Sequence, residues 1–234
     1  MNDHRSPAQQ RKRAAAEAAL ELVTDGMQLG LGTGSTVAYL LEGIAARGLD
    51  VAGLATSEAT EAACHELGIR LLAPGEVDEL DLAIDGADEL DRELTATKGG
   101  GGALLREKVV ASMAARFVLI ATTDKLVERL ADRFPLPVEV VPFAVAPVTA
   151  RLRARGYEVE LRRAGGGPAV VTDNGNNLLD ARLPGGIEDP AVEDLWLAQV
   201  PGVVTSGLFV ELAERALLAE EDGTIVELVA PQGQ

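Results

Sequence analysis

Apolar positions along this chain fall into short runs with two alternating periods. Ala15, Ala19, Leu22 and Val23 recur at helical spacing behind Ser6-Pro7, a cap and a first-turn proline, and Asp25-Gly26 is the predicted stop. Residues 27–31 are a brief apolar run that reads as a buried strand. Val37, Leu40, Leu41, Ile44 and Ala45 then form one helical stripe, ended by Gly48. A strand at 51–55, a helix at 58–67 capped by Ser57 and closed by Gly68, and strands at 69–72, 81–85 and 116–121 continue the alternation. Alternating strands and helices predict a parallel sheet.

The pattern changes near residue 131. The stretch FPLPVEVVPFAVAP at 134–147 is dense in proline, which predicts a boundary and edge strands. A helix is expected at 148–155 and a half-exposed strand at 157–162. Strands at 169–172 and 177–182 should flank TDNGNN, whose Asn-Gly pair is a hairpin signal. A short helix at 190–199 holds Trp196, and 203–205 is a further strand. The expected fold class is therefore α/β, a parallel-sheet domain with a smaller α+β subdomain inserted before the C-terminal segment. Residues 1–130 plus 207–234 would form the first and 131–206 the second, with the tail rejoining the first sheet.

Composition narrows the function. At 47% hydrophobic residues the chain can build a sizeable core, and no apolar run approaches the ~20 residues that span a bilayer. The N-terminal MNDHRSPAQQRKR has no apolar signal core, so a cytoplasmic location is expected. A net charge of −16 argues against a nucleic-acid partner, which demands a basic surface. Cys64 is the single cysteine, which excludes an internal disulfide and a thiolate cluster, and it reads as a small core residue. His4 and His65 are too far apart to suggest a zinc site. Arginine outnumbers lysine 17 to four, and three of the lysines, Lys98, Lys108 and Lys125, lie in or near one segment.

Polar clusters gather where the predicted strands end: Thr33 to Thr36, Thr56-Ser57, Asp85 to Asp88, and Thr122 to Lys125. The ends of parallel strands share one edge of the sheet, where such folds hold ligands. The first cluster, GLGTGST, is a glycine-rich turn opening a helix, a place for a phosphate on free N–H groups, with the hydroxyls of Thr33, Ser35 and Thr36 as further donors. Ser35 takes the third glycine position of a dinucleotide fingerprint, and the next strand ends in Thr56-Ser57 in place of an acidic ribose ligand. No Gly-Lys-Ser/Thr follows, so it is no Walker loop either, and a small phosphate ester fits better. The third cluster leads into DGADELDRELTATKGGGGALLREK, at 85–108. It carries two carboxylates on a turn, Lys98, four glycines that let a backbone come close to a ligand, and Glu107 early in a helix, above the small residues Ala103 and Gly100.

Taken together, GLGTGST, ATSEAT, DGADE, KGGGGALLREK, Asp124-Lys125, FPLPVEV, TDNGN and PGVVTSGLF resemble ribose-5-phosphate isomerase, type A, in that family's order and nearly end to end. The resemblance implies a Rossmann-like sheet with a small lid-like subdomain, a homodimer or homotetramer, and no metal or other cofactor. It implies interconversion of ribose 5-phosphate and ribulose 5-phosphate. It also implies roles: Glu107 as general base, Asp85 and Asp88 holding sugar hydroxyls and one of them opening the ring, and Lys98 with Gly99, Gly100 and Gly101 on sugar oxygens. Gly86 and Ala87 would complete that turn, and Thr33, Gly34, Ser35, Thr36 and Lys125 would bind substrate, including its phosphate.

The residue types agree with such chemistry. An aldose–ketose shift moves a proton between two adjacent carbons through an enediolate, and one carboxylate can serve both carbons. A lysine or backbone N–H groups can steady the oxyanion. Two rival readings stay open at this stage. A sugar-phosphate sensor would need a DNA-binding helix-turn-helix, whereas one helix precedes the first strand. A related deaminase or acyl-CoA transferase fits KGGGG and Glu107 less well.

Overall fold

In the computed structural model, residues 6–230 are described, and His4 lies outside them. The chain enters α1 (Pro7–Leu20) through a reciprocal cap: Ser6 Oγ accepts from the Gln9 N–H, and Gln9 Oε1 accepts from the Ser6 N–H. This helix ends at Leu20, short of the stop at Asp25-Gly26. Leu22 and Val23 continue in tight turns on the Ala19 and Leu20 carbonyls and still pack on the core, which is why their spacing read as helix.

The order then runs β1 (Gln28–Leu31), α2 (Ser35–Arg47), β2 (Ala52–Ala55), α3 (Glu58–Leu67), β3 (Arg70–Leu71) and β4 (Leu82–Asp85). It continues through β5 (Glu89–Leu90), β6 (Ala96–Thr97), α4 (Leu104–Met113) and β7 (Phe117–Thr122). Next come β8 (Leu136–Val140), α5 (Val145–Ala154), β9 (Glu158–Leu161), β10 (Asn177–Arg182) and α6 (Pro190–Ala198). The chain closes with β11 (Val203–Ser206), β12 (Leu208–Phe209), β13 (Arg215–Ala219) and β14 (Ile225–Val229).

The main sheet has the order β14-β13-β7-β4-β1-β2-β3. Every pairing in it is parallel except that of β14 with β13, so the tail does rejoin this sheet. Strands β3, β2, β1, β4 and β7 reproduce the doubly wound order, whose switch point lies between the first and fourth of those strands in chain order. Register aligns their ends: Leu31 pairs with Ala55 and with Ile84, and Asp85 pairs with Leu119. The turns after β1 and β4 are thereby brought side by side. One sheet face packs on α1, α2 and α3 through Leu20, Leu40, Ile44 and the buried Cys64. The other packs on α4 through Val110 and Ala111, with Leu119, Leu218 and Phe209.

Two features differ from the sequence reading. The DGADEL segment does not end as a turn: β5 pairs with β6, and β12 joins β6 from the other side. Strands of two residues carry too little periodicity to be seen. The proline-dense stretch does not form edge strands either. β8 lies inside a four-stranded antiparallel sheet, order β11-β8-β10-β9. Pro137 is tolerated there because β11 stops at Ser206, and beyond it the Pro137 carbonyl accepts from the Gly207 N–H. Of the hairpin around TDNGNN, only the second strand forms; the first is reduced to isolated bridges, Val171 with Asn177 and Arg163 with Ala169. α5, α6 and this sheet enclose their own core of Leu136, Val138, Leu152, Leu179 and Leu197.

Candidate active site

The cleft forms where the turns after β1, β4 and β7 meet the glycine loop before α4. Its walls include Thr33 to Val37, Gly86 to Asp88, Lys98 to Gly101, Glu107, Thr122, Lys125 and Lys12. A volume of ≈ 190 Å³ is smaller than the ~300–1,000 Å³ of pockets for drug-sized ligands and suits a small substrate.

Gly34 caps α2 with φ 121°, a conformation open to glycine, and no side chain caps this end. The first helical N–H groups therefore have no intrahelical acceptor and face the cleft with the positive end of the helix. Two ammonium groups stand beside them. Lys125 follows β7 in a 3₁₀ turn (Thr123–Lys125), and Lys12 Nζ donates to Ser35 Oγ at 2.8 Å. The neighbouring Asp124 makes its ion pair with Arg11, 3.2 Å away. Thr33 lines the cleft, but its hydroxyl is committed elsewhere: it donates to Ser57 Oγ at 2.7 Å and lies 2.8 Å from Thr56 Oγ1. Thr56-Ser57, grouped with the other strand ends in the sequence, thus supports the turn and is not part of the cleft wall.

Below the phosphate-sized end sits a buried charge cluster. Lys98, 3% exposed, places Nζ 2.8 Å from Asp85 Oδ2 and 3.4 Å from Glu107 Oε2, and donates to the Gly86 carbonyl at 2.7 Å. Asp85 does not line the cleft. Its Oδ1 accepts from the Gly86 N–H (2.7 Å) and the Thr33 N–H (3.1 Å), so it grips both turns and Lys98 from behind. Asp88 faces the cleft and accepts from the Gly100 N–H at 2.7 Å. Glu107 enters from the first turn of α4, and its Oε2 is buried without a hydrogen bond among the described residues.

Electrostatics follow from this packing. Burial pushes the Glu107 carboxyl up to about 8, with Asp85 and Asp88 adding to the rise and Lys98 opposing it. Burial would lower Lys98, but Asp85 and Glu107 more than offset it and hold the ammonium above its usual range. Burial also raises Asp88, against the Gly100 N–H, Lys98, Lys125 and Arg162. The arrangement is a proton acceptor near neutrality beside a fixed cation, next to a cradle for an anion. No group of three or more His, Cys, Asp and Glu among the described residues has the spacing to hold a metal ion.

Of the residues singled out in the sequence, Thr33 to Thr36, Gly86 to Asp88, Lys98 to Gly101, Glu107 and Lys125 all meet at this cleft, and Asp85 lies one layer behind. Lys12 was missed. It sits in a polar stretch with no local motif, and only the packing of α1 against α2 and β7 brings it here.

A sequence model of the family described as ribose 5-phosphate isomerase A (phosphoriboisomerase A) matches residues 52–223. A ribose-5-phosphate isomerase A of Roseiflexus sp. (strain RS-1) is 49% identical over 228 residues, covering 95% of this chain and 97% of that protein. One of Synechococcus sp. (strain WH7803) is 45% identical, covering 92% and 93%. Among solved structures, ribose 5 phosphate isomerase A from Neisseria gonorrhoeae superposes with a TM-score of 0.89 at 35% identity, over 96% of this chain and 98% of that one. A D-ribose-5-phosphate isomerase in complex with phospho-erythronic acid gives 0.90 at 34% identity, over 95% and 99%.

Proposed function

Because the chain belongs to the ribose 5-phosphate isomerase A family, we propose that its cleft carries out the aldose–ketose shift with Glu107 as the base. The chain interconverts D-ribose 5-phosphate and D-ribulose 5-phosphate, a step of the pentose phosphate pathway. The observation that carries the assignment of Glu107 is its buried, unbonded Oε2, 3.4 Å from the Lys98 ammonium. That oxygen is free to take the C2 proton of the open-chain aldose and return it to C1. Lys98, kept protonated by its two carboxylates, offsets the charge that develops on the enediolate oxygens. Asp88, on the cleft wall, accepts from sugar hydroxyls and is the better placed of the two aspartates to assist ring opening. Asp85 acts through Lys98 and the two turns it grips.

The start of α2, Lys12 and Lys125 hold the phosphate, at the end of the cleft away from Glu107. A relative solved with phospho-erythronic acid supports a short polyhydroxy acid phosphate as the kind of molecule that fits. The location is cytoplasmic, which the single buried thiol of Cys64 suits. No described helix is long and apolar enough to cross a membrane. A homodimer or homotetramer is part of the same reading, supported by the apolar side chains left on the surface around β11 and α6.

The test follows ribulose 5-phosphate formation from ribose 5-phosphate, with EDTA present, for the parent and Glu107→Gln. Removing a positioned base should lower kcat by about 10²–10⁴-fold while KM moves little. Near-parental turnover by the variant would take the proton transfer away from Glu107.

A further inference from the structure

We propose that Arg162, gripped by Asp180, is a positioning residue that fixes the glycine loop and through it the Asp88 carboxylate. The inference rests on the placement of Asp88 in the substrate cleft given above. Arg162 directly follows β9 of the small antiparallel sheet and lies outside the main one. Its N–H donates to the Leu178 carbonyl and its own carbonyl accepts from the Val170 N–H, both at 2.9 Å, so its backbone is tied on both sides. Its side chain then leaves that sheet. Nε donates to Asp180 Oδ2 at 2.9 Å and to Oδ1 at 3.1 Å, and Nη2 donates to Oδ1 as well. Nη1 reaches the glycine loop, donating to the Gly99 carbonyl at 2.9 Å and the Gly100 carbonyl at 3.1 Å.

The Gly99 carbonyl belongs to the same peptide group as the N–H that meets Asp88, and the Gly100 carbonyl belongs to the next. The Gly100 N–H donates to Asp88 Oδ2 at 2.7 Å, and a Cβ at Gly100 would stand 2.5 Å from Asp88 Oδ1. A run of four glycines has no side chains to hold it and loses much freedom when ordered. Arg162 supplies the missing restraint from outside the loop. Its planar fork can serve Asp180 with one edge and the carbonyls with the other, which a lysine cannot do. Both partners are mostly covered, with side-chain exposures of 15% for Arg162 and 22% for Asp180, so water competes weakly. The result is a relay from Asp180 to Arg162, to the Gly99–Gly100 peptide, to Asp88.

Charge works in the same direction. Lys98, Lys125 and Arg162 face Asp88 as cations, and Glu107 faces it as a carboxyl. Burial favours the protonated form of Asp88, and the three cations with the Gly100 N–H favour the ionised form. Loss of the guanidinium therefore moves the Asp88 titration to higher pH. Glu107 sets the first part of the acid limb of kcat/KM, and the further fall that protonation of Asp88 adds to it moves the same way. Arg162→Lys keeps the charge and loses the fork, so it separates the two effects.

The experiment measures kcat and KM across pH for Arg162→Gln, Arg162→Lys, Asp180→Asn and Asp88→Asn, with thermal melting of each. Arg162→Gln should lower kcat roughly 10- to 100-fold, the scale of a misplaced catalytic group, and shift the Asp88 part of the acid limb upward. Arg162→Lys should lower kcat with the limb near its parental position. Asp180→Asn, which leaves Arg162 charged but unpinned, should behave like Arg162→Lys. Unchanged kcat and limb in Arg162→Gln overturn the proposal. An equal loss in Arg162→Gln and Arg162→Lys with no limb shift also overturns the hold on Asp88 and leaves loop packing alone. If Arg162→Gln does not fold, Arg162→Lys and Asp180→Asn decide: parental kcat in both overturns it, and reduced kcat at parental melting temperature supports it. Full activity in Asp88→Asn removes the role of Asp88 itself and is thereby distinguished from a failure of Arg162.

Discussion

Lys98 is the residue on which the site's charge balance turns. It is buried with two carboxylates, and removing either partner of a buried pair leaves an uncompensated charge. With Glu107 pushed up to about 8, the proposed base is mostly protonated at pH 7, and the proposed proton transfer needs its ionised form. The sign is fixed: kcat/KM should rise with pH up to about 8 and then level, since Lys98 is held above its usual range and stays charged. Lys98→Met removes the cation that opposes the rise of Glu107. It should move that limb to higher pH and lower kcat by about 10²–10³-fold through loss of oxyanion stabilisation. A pH–rate profile of both proteins checks this, and a limb that stays in place in Lys98→Met counts against the coupling. Asp85, Asp88, Lys98 and Glu107 were all legible in the sequence, because each sits within 23 residues in a segment whose spacing carries chemistry. Lys12 and Arg162 were not. Each reaches the site from a segment distant in the chain, and a basic residue in a polar or alternating stretch has no local signature.

Among the elements, β8 and the turn that precedes β10 show how a sequence motif can serve architecture. Glu139 of β8 is fully buried, and its Oε1 accepts from Thr172 Oγ1 (2.9 Å), Asn174 Nδ2 (3.1 Å) and Asn176 Nδ2 (2.9 Å). The same turn holds the main sheet's helices. Asp173 Oδ2 accepts from the Glu58 N–H at the start of α3, and Asn174 Oδ1 accepts from Arg106 Nε, next to Glu107 on α4. TDNGN reads as a hairpin, and its Asn-Gly turn is real, but its polar side chains also satisfy one oxygen of a buried carboxylate, whose Oε2 has no hydrogen bond among the described residues. Periodicity shows where a strand buries its apolar face and gives no warning of a charge placed inside. Glu139→Ala leaves three donors without their acceptor. It should destabilise the protein by roughly 3 kcal/mol, whereas Glu139→Gln retains an acceptor and should cost about 1 kcal/mol. Urea unfolding with fluorescence of Trp196 gives the midpoints; equal midpoints for the parent and Glu139→Ala would show that the turn holds itself.

For the molecule as a whole, acidic residues outnumber basic ones 37 to 21, and one group of exposed apolar side chains gathers at the small sheet. Phe143 is 94% exposed in a chain that has four phenylalanines, and Leu195, Val192 and Val204 are exposed nearby in sequence or on packed elements, since α6 lies against β11. β11 is also an edge strand of its sheet. An apolar patch beside an open strand edge is a surface that a second copy of the chain can cover. Opposing this, each copy carries −16, so association brings like charges together. Screening decides how much that matters: the Debye length is ~30 Å at 10 mM salt and ~8 Å at 150 mM. Apolar burial gains nothing from dilution of salt, so the repulsion is the part that responds. Sedimentation at micromolar protein should therefore give a homodimer or homotetramer at ~150 mM salt, with a larger monomer fraction at ~10 mM. Phe143→Ser should shift both toward monomer. A parent that sediments as a monomer at either salt concentration would remove the oligomer from this reading and leave the cleft, which is built from one chain, untouched.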